Sequence, residues 1–355
     1  MTETQSSPDV LEPAAQVGSD GVALSPGLAG AGPLDAELAY EAGVEIKARS
    51  QWAYARMRFL RHKLAVVSLV VLVLIALVAV FAEQLAPYGF DEQNYEIINL
   101  SPTFEDKHLF GTDQLGRDYL SRVIFGLRTS LWVAFFVAVI STAIGTVVGS
   151  IAGYYGGVVD NLLMRFTDLI LVLPLLAVLL AAANFFNKEG SPFKAAILIA
   201  ILIWVVLARL LRSLFLSLRE KEFVEAAKAA GASDFRIIVR HILPNCIGAI
   251  VVFMTLIVAG AILLEAALSF LGFGIQPPNA AIGKLISDGQ QQGLETWWLV
   301  TFPGLVIALV ALSINFIGDG LRDALDPRVP SRRSLPEAEA APARKEASVE
   351  QRRAA

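Results

Sequence analysis

The chain has 355 residues, of which 55% are hydrophobic and only 17% are charged, and its formal net charge is −4. A soluble domain carries about a quarter charged residues, so this composition excludes an ordinary soluble protein. The single cysteine, Cys246, excludes an intrachain disulfide, and the three histidines lie too far apart in the sequence to form a metal-ligand motif.

The amino-terminal part of the chain is polar. Residues 1–43 are rich in Ala, Gly, Pro, Ser and acidic residues, a composition typical of a disordered tail. Residues 44–63 include IKARSQWAYARMRFLRHK, which predicts a basic amphipathic segment in the cytoplasm. Such a segment either lies on the anionic inner leaflet or simply flanks the first span, and both readings can hold. The first apolar run starts near Leu64, too late in the chain for a cleaved signal peptide.

Six apolar runs are long enough to cross about 30 Å of hydrocarbon at about 1.5 Å per residue. They cover residues 64–82, 130–152, 162–183, 195–211, 247–271 and 298–317, and the fourth is the weakest because Arg209 interrupts it. The runs are continuous rather than alternating, which excludes a β-barrel. The sequence therefore predicts an all-α integral membrane protein with six transmembrane helices.

The predicted domains follow from these spans. Residues 64–129 are the first transmembrane helix with an extracytoplasmic loop, and residues 130–319 form a core of five transmembrane helices. Residues 320–355 form a cytoplasmic tail that is predicted to be disordered beyond about residue 331. Lys and Arg are concentrated before the first span, between the fourth and fifth spans and after the sixth, which places these segments and both termini in the cytoplasm.

Three glycines in the second span, Gly145, Gly149 and Gly153, form two overlapping GxxxG steps. Small residues at this spacing let two helices approach closely. They predict tight packing against a neighbouring helix, within the chain or across a dimer, rather than a pore lining. The chain shows no internal repeat of the kind found in many secondary transporters.

Besides Arg209, three ionisable residues fall within the predicted spans, where such residues indicate function by default. Arg165 and Asp168 lie three positions apart near the inner end of the third span. We predict that they pair on one helix face, with a role toward substrate as the alternative. Glu265 lies in the outer half of the fifth span, where it lines a pathway or bonds to a neighbouring helix.

The cytoplasmic segment 212–245 contains FVEAAKAAGASDFRIIVRHILPN. Good helix formers precede Gly231, which predicts a helix ended by a left-handed residue. Ser233 suits the N-cap of a second helix, and Pro244 is predicted to break that helix just before the fifth span. The segment therefore predicts a helical hairpin able to dock into a soluble partner. An ordinary cytoplasmic loop is the alternative.

The stretch EAAKAAGASDFRIIVRHILP resembles the EAA motif of ABC importer permeases. The resemblance implies a coupling helix that sits in a cleft of the nucleotide-binding subunit. The positions matching the motif are Glu225, Ala226, Ala227, Gly231, Leu243 and Pro244. His241 stands where the general pattern has an apolar residue.

Three further stretches resemble the C-type permease subunit of the dipeptide/oligopeptide/nickel importers. They are FGTDQLGRDYLSRVIFGLRTSL, LLEAALSFLGFGIQPPNAAIGKLISDG and GDGLRDALDPR, so that the resemblance covers roughly residues 50–330. It implies the type I ABC importer permease fold in a bacterial cytoplasmic (inner) membrane. The implied activity is import of short peptides, with nickel or glutathione-type substrates as the alternative.

The resemblance also implies a set of partners. These are a homologous second permease, two ATP-binding-cassette ATPase subunits, an extracytoplasmic substrate-binding protein and the lipid bilayer, without nucleic acid. It implies no catalytic residue, metal site or cofactor in this chain, with ATP and Mg²⁺ bound by the partner subunits. A stand-alone channel or carrier and a non-transporting membrane scaffold are the other hypotheses.

The segment GTDQLGRD has glycines spaced as in a phosphate-binding loop. Arg117 occupies the lysine position of that motif, and Asp118 occupies the Ser/Thr position, where its charge would oppose phosphate. The sequence therefore predicts a turn in the outer loop rather than an ATP site.

Overall fold

The computed structural model describes residues 51–104 and 107–325, with side chains from residue 55 onward. The predicted tails, residues 1–43 and those beyond about 331, lie outside the described residues. Within the described ranges the regular structure is helical, apart from an isolated antiparallel bridge between Thr112 and Asp118.

We number the α-helices in chain order. They are α1 (Gln51–Arg61), α2 (Lys63–Val80), α3 (Ala82–Leu85), α4 (Tyr119–Tyr155), α5 (Gly157–Val172), α6 (Leu175–Phe186), α7 (Pro192–Ile203), α8 (Val205–Leu218), α9 (Glu222–Ala229), α10 (Asp234–Arg236), α11 (Leu243–Phe270), α12 (Ile282–Gln290) and α13 (Trp298–Leu325). Short 3₁₀ turns cover Tyr95–Ile97 and Leu294–Thr296, and a π-helical segment covers Ile237–Ile242.

The described helices include four that are long and apolar enough to cross a membrane by themselves. They are α2, α4, α13 and the continuous helix Asp234–Phe270 that contains α11. Two bent pairs, α5 with α6 and α7 with α8, complete a set of six if each pair is one span. The prediction of an all-helical membrane protein is therefore confirmed, with two of its six spans broken.

The third span bends by 89° between α5 and α6. Pro174 follows Leu173, whose backbone is extended at φ −71° and ψ 136°. Proline has no N–H to donate, and its ring pushes the preceding residue out of the helical region. The break thus has a local cause in the sequence.

The second span is longer than predicted, because α4 begins at Tyr119 instead of residue 130. Asp118 starts this helix by accepting a hydrogen bond from the Ser121 N–H at 2.8 Å. Hydropathy marks only the part of a helix that can face lipid or an apolar core. The first turns, which carry Arg122 and Arg128, fall outside that signal.

The three glycines of α4 pack against α8 of the same chain. A Cβ atom at Gly149 would lie 2.5 Å from the backbone oxygen of Ala208, and one at Gly153 would lie 2.5 Å from the Cβ of Phe215. A Cβ atom at Gly145 would lie 2.9 Å from the Trp204 oxygen. The backbone of α4 therefore rests directly on α8, and the second and fourth spans form one closely packed pair.

The prediction that Pro244 ends the helix before the fifth span is wrong. The helix runs without a break from Asp234 to Phe270. The π-helical segment absorbs the proline, since the Leu243 N–H donates to the oxygen of Ile238, five residues earlier. The Asn245 side chain then donates to the His241 oxygen at 2.6 Å, which satisfies a carbonyl beside the disturbed turn.

Candidate functional site

The hairpin, here residues 219–245, is built around a glycine turn between α9 and α10. Gly231 has φ +77°, so the prediction of a left-handed residue at this position is confirmed. Its N–H donates to the Lys228 oxygen at 2.9 Å, and the Ala232 N–H donates to the Ala227 oxygen at 3.0 Å. These two bonds define a Schellman motif, which ends α9 with its last carbonyls satisfied.

The second arm of the hairpin begins at the predicted N-cap, Ser233, whose backbone is extended. The Ser233 side chain makes no capping hydrogen bond. Asp234, the first residue of α10, instead accepts a hydrogen bond from the Tyr154 hydroxyl at 2.7 Å. The position of the cap was therefore predicted correctly, but the polar contact that holds this end of the helix comes from another residue.

The hairpin has an inner face in the hydrophobic core and an exposed outer face. Val224 and Ile237 are completely buried and fix the two arms to the core. Phe235 is 74% exposed on the outer face, with Phe223 and Val239 also exposed. The predicted motif residues divide between the faces: Glu225, Ala226, Gly231 and Pro244 are exposed, whereas Ala227 and Leu243 are half-buried against the core.

Two side chains that the sequence analysis did not single out fasten the hairpin to the end of α4. Arg219 donates from Nη1 to the oxygens of Tyr154 at 3.2 Å and Gly153 at 3.4 Å, near the end of that helix. Lys228 places its Nζ 5.9 Å from the centroid of the Tyr154 ring. With the Tyr154–Asp234 bond, these contacts connect both arms to one helix end. The one feature of the sequence that could have indicated these contacts is Arg219, a basic residue six positions before Glu225 of the EAA stretch.

We expect Tyr154→Phe to loosen the hairpin without unfolding the chain. The change removes one hydrogen bond to a carboxylate, which is worth about 1.5–3 kcal/mol. The amides of α9 and α10 should therefore exchange with solvent deuterium about tenfold to a hundredfold faster. The matched control is Tyr155→Phe, since the Tyr155 hydroxyl has no hydrogen bond within the part of the chain that the structure describes. Equal exchange in both variants would show that the Tyr154–Asp234 contact does not hold the hairpin.

The predicted pair of Arg165 and Asp168 does not form. Asp168 of α5 makes an ion pair with Arg209 of α8. Nearer the hairpin, Asp160 of α5 pairs with Arg212 of α8, whose Nη2 lies 2.6 Å from the Asp160 Oδ2. Both pairs join the third span to the fourth. The prediction was wrong because it considered only partners on the same helix. The neighbouring helix α8 places one guanidinium, Arg209 or Arg212, beside each of the two aspartates of α5.

Glu265 is buried between α11 and α4, 1% exposed. Its Oε1 accepts a hydrogen bond from the Ser269 hydroxyl at 2.7 Å, and the same hydroxyl oxygen accepts from the Ile275 N–H at 3.1 Å. The carboxyl group therefore supports the turn that follows α11. This bond lies within α11, so it is neither of the two alternatives left open by the sequence, a pathway lining or a bond to a neighbouring helix, and both stay predictions.

The GTDQLGRD segment is a closed turn in the loop before α4. Asp113 accepts hydrogen bonds from the N–H groups of Leu115 at 2.9 Å and Arg117 at 3.0 Å, and it pairs with the Arg117 guanidinium at 2.7 Å. His108 lies 2.9 Å from Asp118 at the start of α4. Backbone amides that would cradle a phosphate are thus already bonded to a carboxylate. No group of three or more potential metal ligands occurs in residues 51–104 and 107–325.

Comparison with known proteins gives two family matches. Residues 145–331, which are 187 of the 355 residues, match the family described as the binding-protein-dependent transport system inner membrane component. Residues 50–102 match the N-terminal transmembrane domain of oligopeptide transport permease C.

Individual relatives cover most of the chain. The oligopeptide transport system permease protein OppC of Escherichia coli (strain K12) is 43% identical over 80% of this chain and 94% of its own length. The dipeptide transport system permease protein DppC of Alkalihalophilus pseudofirmus is 44% identical over 79% of this chain and 91% of its own length. Among solved structures, the inward-facing MetNI methionine ABC transporter matches with 17% identity and a TM-score of 0.47, over 58% of this chain and 97% of the matched chain.

The family match covers the end of the second span, the four later spans and the hairpin together, and the relatives align over nearly their whole length. The region that matches the profile includes the glycine turn and the glycines of α4 that rest on α8. The chain belongs to the family of binding-protein-dependent transport system inner membrane components, and it is a multi-pass protein of the inner membrane.

Proposed function

We propose that this chain is a permease subunit of an ATP-driven importer that moves short peptides into the cytoplasm. The relatives with 43% and 44% identity are named as oligopeptide and dipeptide permeases, which supports a peptide substrate. The observation that carries the proposal is the helical hairpin, which exposes an aromatic side chain and charges and is joined to two spans. Nickel or glutathione-type substrates are the alternative within the same family.

The partners follow from this proposal. A homologous second permease completes the translocation path, and two ATPase subunits bind on the cytoplasmic side and supply ATP and Mg²⁺. An extracytoplasmic binding protein delivers the substrate. The chain itself then needs no catalytic residue and no cofactor.

The outer face of the hairpin is the proposed ATPase contact. Phe235 and Phe223 supply exposed apolar area for docking, and Glu225 and Arg236 supply exposed charges that select a partner. Ala227 and Leu243, which face inward, would act by holding this surface in place rather than by touching the partner.

Motion of the hairpin would reach the membrane by two routes. The second arm continues without a break into α11, so a rotation of α10 becomes a rotation of the fifth span. The Tyr154–Asp234 bond and the Arg219 contacts join both arms to α4, which in turn rests on α8. ATP-driven closure of the ATPases would thereby bias the spans between two arrangements, without direct contact between ATP and substrate.

The orientation belongs to the same proposal. The hairpin and both termini lie in the cytoplasm, because Lys and Arg cluster on those segments. The loop before α4 then lies outside, where the binding protein docks. The division into residues 64–129 and a core of residues 130–319 stays a prediction.

The test is import by the reconstituted complex. The chain is purified with its co-isolating subunits, placed in proteoliposomes and supplied with the binding protein, and uptake of labelled tri-alanine, glutathione and a nickel chelate is measured with and without ATP. We expect co-purification of a second permease and ATPases, and uptake of tri-alanine that requires ATP. Uptake by this chain alone without ATP would support a channel or carrier. An intact complex that takes up none of the probes would support a scaffold.

A further inference from the structure

Three charged side chains lie on the surface of α5 and α8 within the spans. Asp168 and Arg209 pair with each other, yet their side chains are 45% and 49% exposed. Arg165, one turn away on α5, is also exposed and has no ion-pair partner among the described residues. Their apolar neighbours Leu162 and Leu169 are exposed as well, so the charges sit in an uncovered face of the chain.

The Asp168–Arg209 pair lies within two bent helix pairs that are long and apolar enough to be membrane spans. Asp168 is eleven residues from the start of α5 and Arg209 is nine residues from the end of α8, which are the ends nearest the hairpin. At about 1.5 Å per residue, the pair lies roughly 15 Å along each helix from these ends. A long arginine can reach back toward the headgroups, but the short side chain of Asp168 cannot.

Lipid is therefore a poor neighbour for this face. A charged side chain at the centre of a lipid-facing helix costs at least about 2.5–3.5 kcal/mol, and such residues normally face a bundle interior or a water-filled cavity. The half-exposed pair is not in the bundle interior of this chain. A protein partner packed on this face would have to remove the Asp168–Arg209 pair from water and would gain no new ion pair in return. Water solvates both charges directly.

We propose that the face of α5 and α8 around the Asp168–Arg209 pair lines the water-filled translocation path, and that Arg165 binds the C-terminal carboxylate of the passing peptide. This inference rests on the proposed function. Short peptides differ in their side chains but share a main chain and a terminal carboxylate. A guanidinium is the side chain that pairs best with a carboxylate, through two parallel hydrogen bonds. Arg165 is free to do so because Asp168 is already engaged by Arg209.

The lone cysteine makes the test direct. Cys246 is 1% exposed and is replaced by Ala to give the parent chain. Arg165→Cys is then introduced, the full complex is reconstituted, and tri-alanine uptake is measured before and after reaction with two water-soluble thiosulfonates, one cationic and one anionic. We expect Arg165→Cys to lower kcat/KM for uptake at least tenfold. The cationic reagent should recover at least a third of the loss, and the anionic reagent should recover none.

Two further variants complete the design. Leu74→Cys, at an exposed apolar position of α2, is the control for a lipid-facing site and should react with neither charged reagent. Arg165→Lys keeps the positive charge but loses the two parallel hydrogen bonds, so it should lower uptake, though less than Arg165→Gln does. This comparison tests the inference if the cysteine variant fails to assemble.

Several outcomes would overturn the inference. Reaction of the Arg165→Cys variant with a lipid-soluble maleimide but not with the charged reagents would place this face in lipid. Reaction with no reagent, together with cross-linking to the second permease, would make it a packed interface. Modification by both charged reagents with equal uptake would remove Arg165 from substrate binding. If the parent complex transports no peptide at all, the proposed function fails, while the reagent accessibility of the introduced thiol still reports whether the face is aqueous.

Discussion

Gly231→Val is expected to lower peptide import at least tenfold while leaving the chain inserted in the membrane. Gly231 has φ +77° and lies in the turn whose two hydrogen bonds end α9. A left-handed backbone costs an ordinary residue about 1–2 kcal/mol, and a β-branched residue tolerates it least. No atom lies within 4 Å of a Cβ built at this position, so the effect comes from the backbone and not from a clash. The measurements are ATP-dependent uptake and the yield of co-purified ATPase.

The control for this variant is Gly231→Asn. Asparagine adopts the left-handed conformation more readily than other residues with a side chain, and the open space around the position accommodates it. We expect import within about threefold of the unmodified complex. Glu225→Lys, which reverses an exposed charge without changing the turn, separates docking chemistry from hairpin shape. Normal import by both Gly231→Val and Glu225→Lys would show that the hairpin does not couple the ATPases to transport.

The number and approximate position of the spans could be predicted from the sequence, because each span depends on the residues of one short segment. Apolar length determines whether a helix can cross a membrane, and this signal survives even where a span is broken, as at Pro174. The glycine turn was equally predictable, because Gly231 occupies a position that few other residues tolerate. In both cases a property of a short segment is sufficient, and no distant contact has to be known.

The errors concern features that depend on neighbouring helices or on compensating local contacts. Pro244 is accommodated within a continuous helix because the preceding segment is π-helical and the Asn245 side chain bonds the His241 oxygen, features that the rule for isolated helices does not include. Asp168 binds Arg209, which is 41 residues away along the chain, because the bent third span lies against the fourth. A single sequence does not give the distance between two helices. The prediction therefore favoured a partner on the same helix over one on a neighbouring helix.

The part of the hairpin site that the sequence did not reveal has the same origin. Tyr154 and Arg219 carry no motif, and their importance follows only from the position of the end of α4 against the hairpin. The motif residues are those that the resemblance implies, and the structure divides them into an exposed group and a group that packs on the core. We therefore expect changes in the exposed group to affect docking of a partner, and changes in the group on the core to affect the position of the hairpin.

Gly149→Ala is expected to destabilise the chain by overpacking the contact between α4 and α8. The new Cβ would lie 2.5 Å from the Ala208 oxygen and 2.9 Å from the Leu211 Cβ, and neither a backbone atom nor a first side-chain carbon can rotate away. The two helices must separate, and overpacking of this kind costs about 1–3 kcal/mol. We expect a lower midpoint of thermal unfolding in detergent and less chain in the membrane.

Gly260→Ala is the matched control, because it adds the same methyl group to a span where no atom lies within 4 Å of the new Cβ. Alanine is also the better helix former, so this variant should unfold at the same temperature as the unmodified chain or slightly higher. A fall confined to Gly149→Ala would assign the GxxxG steps to the contact between the second and fourth spans. Equal stability of the two variants would mean that α4 and α8 can move apart, and the coupling route from the hairpin through α4 to α8 would then be broken.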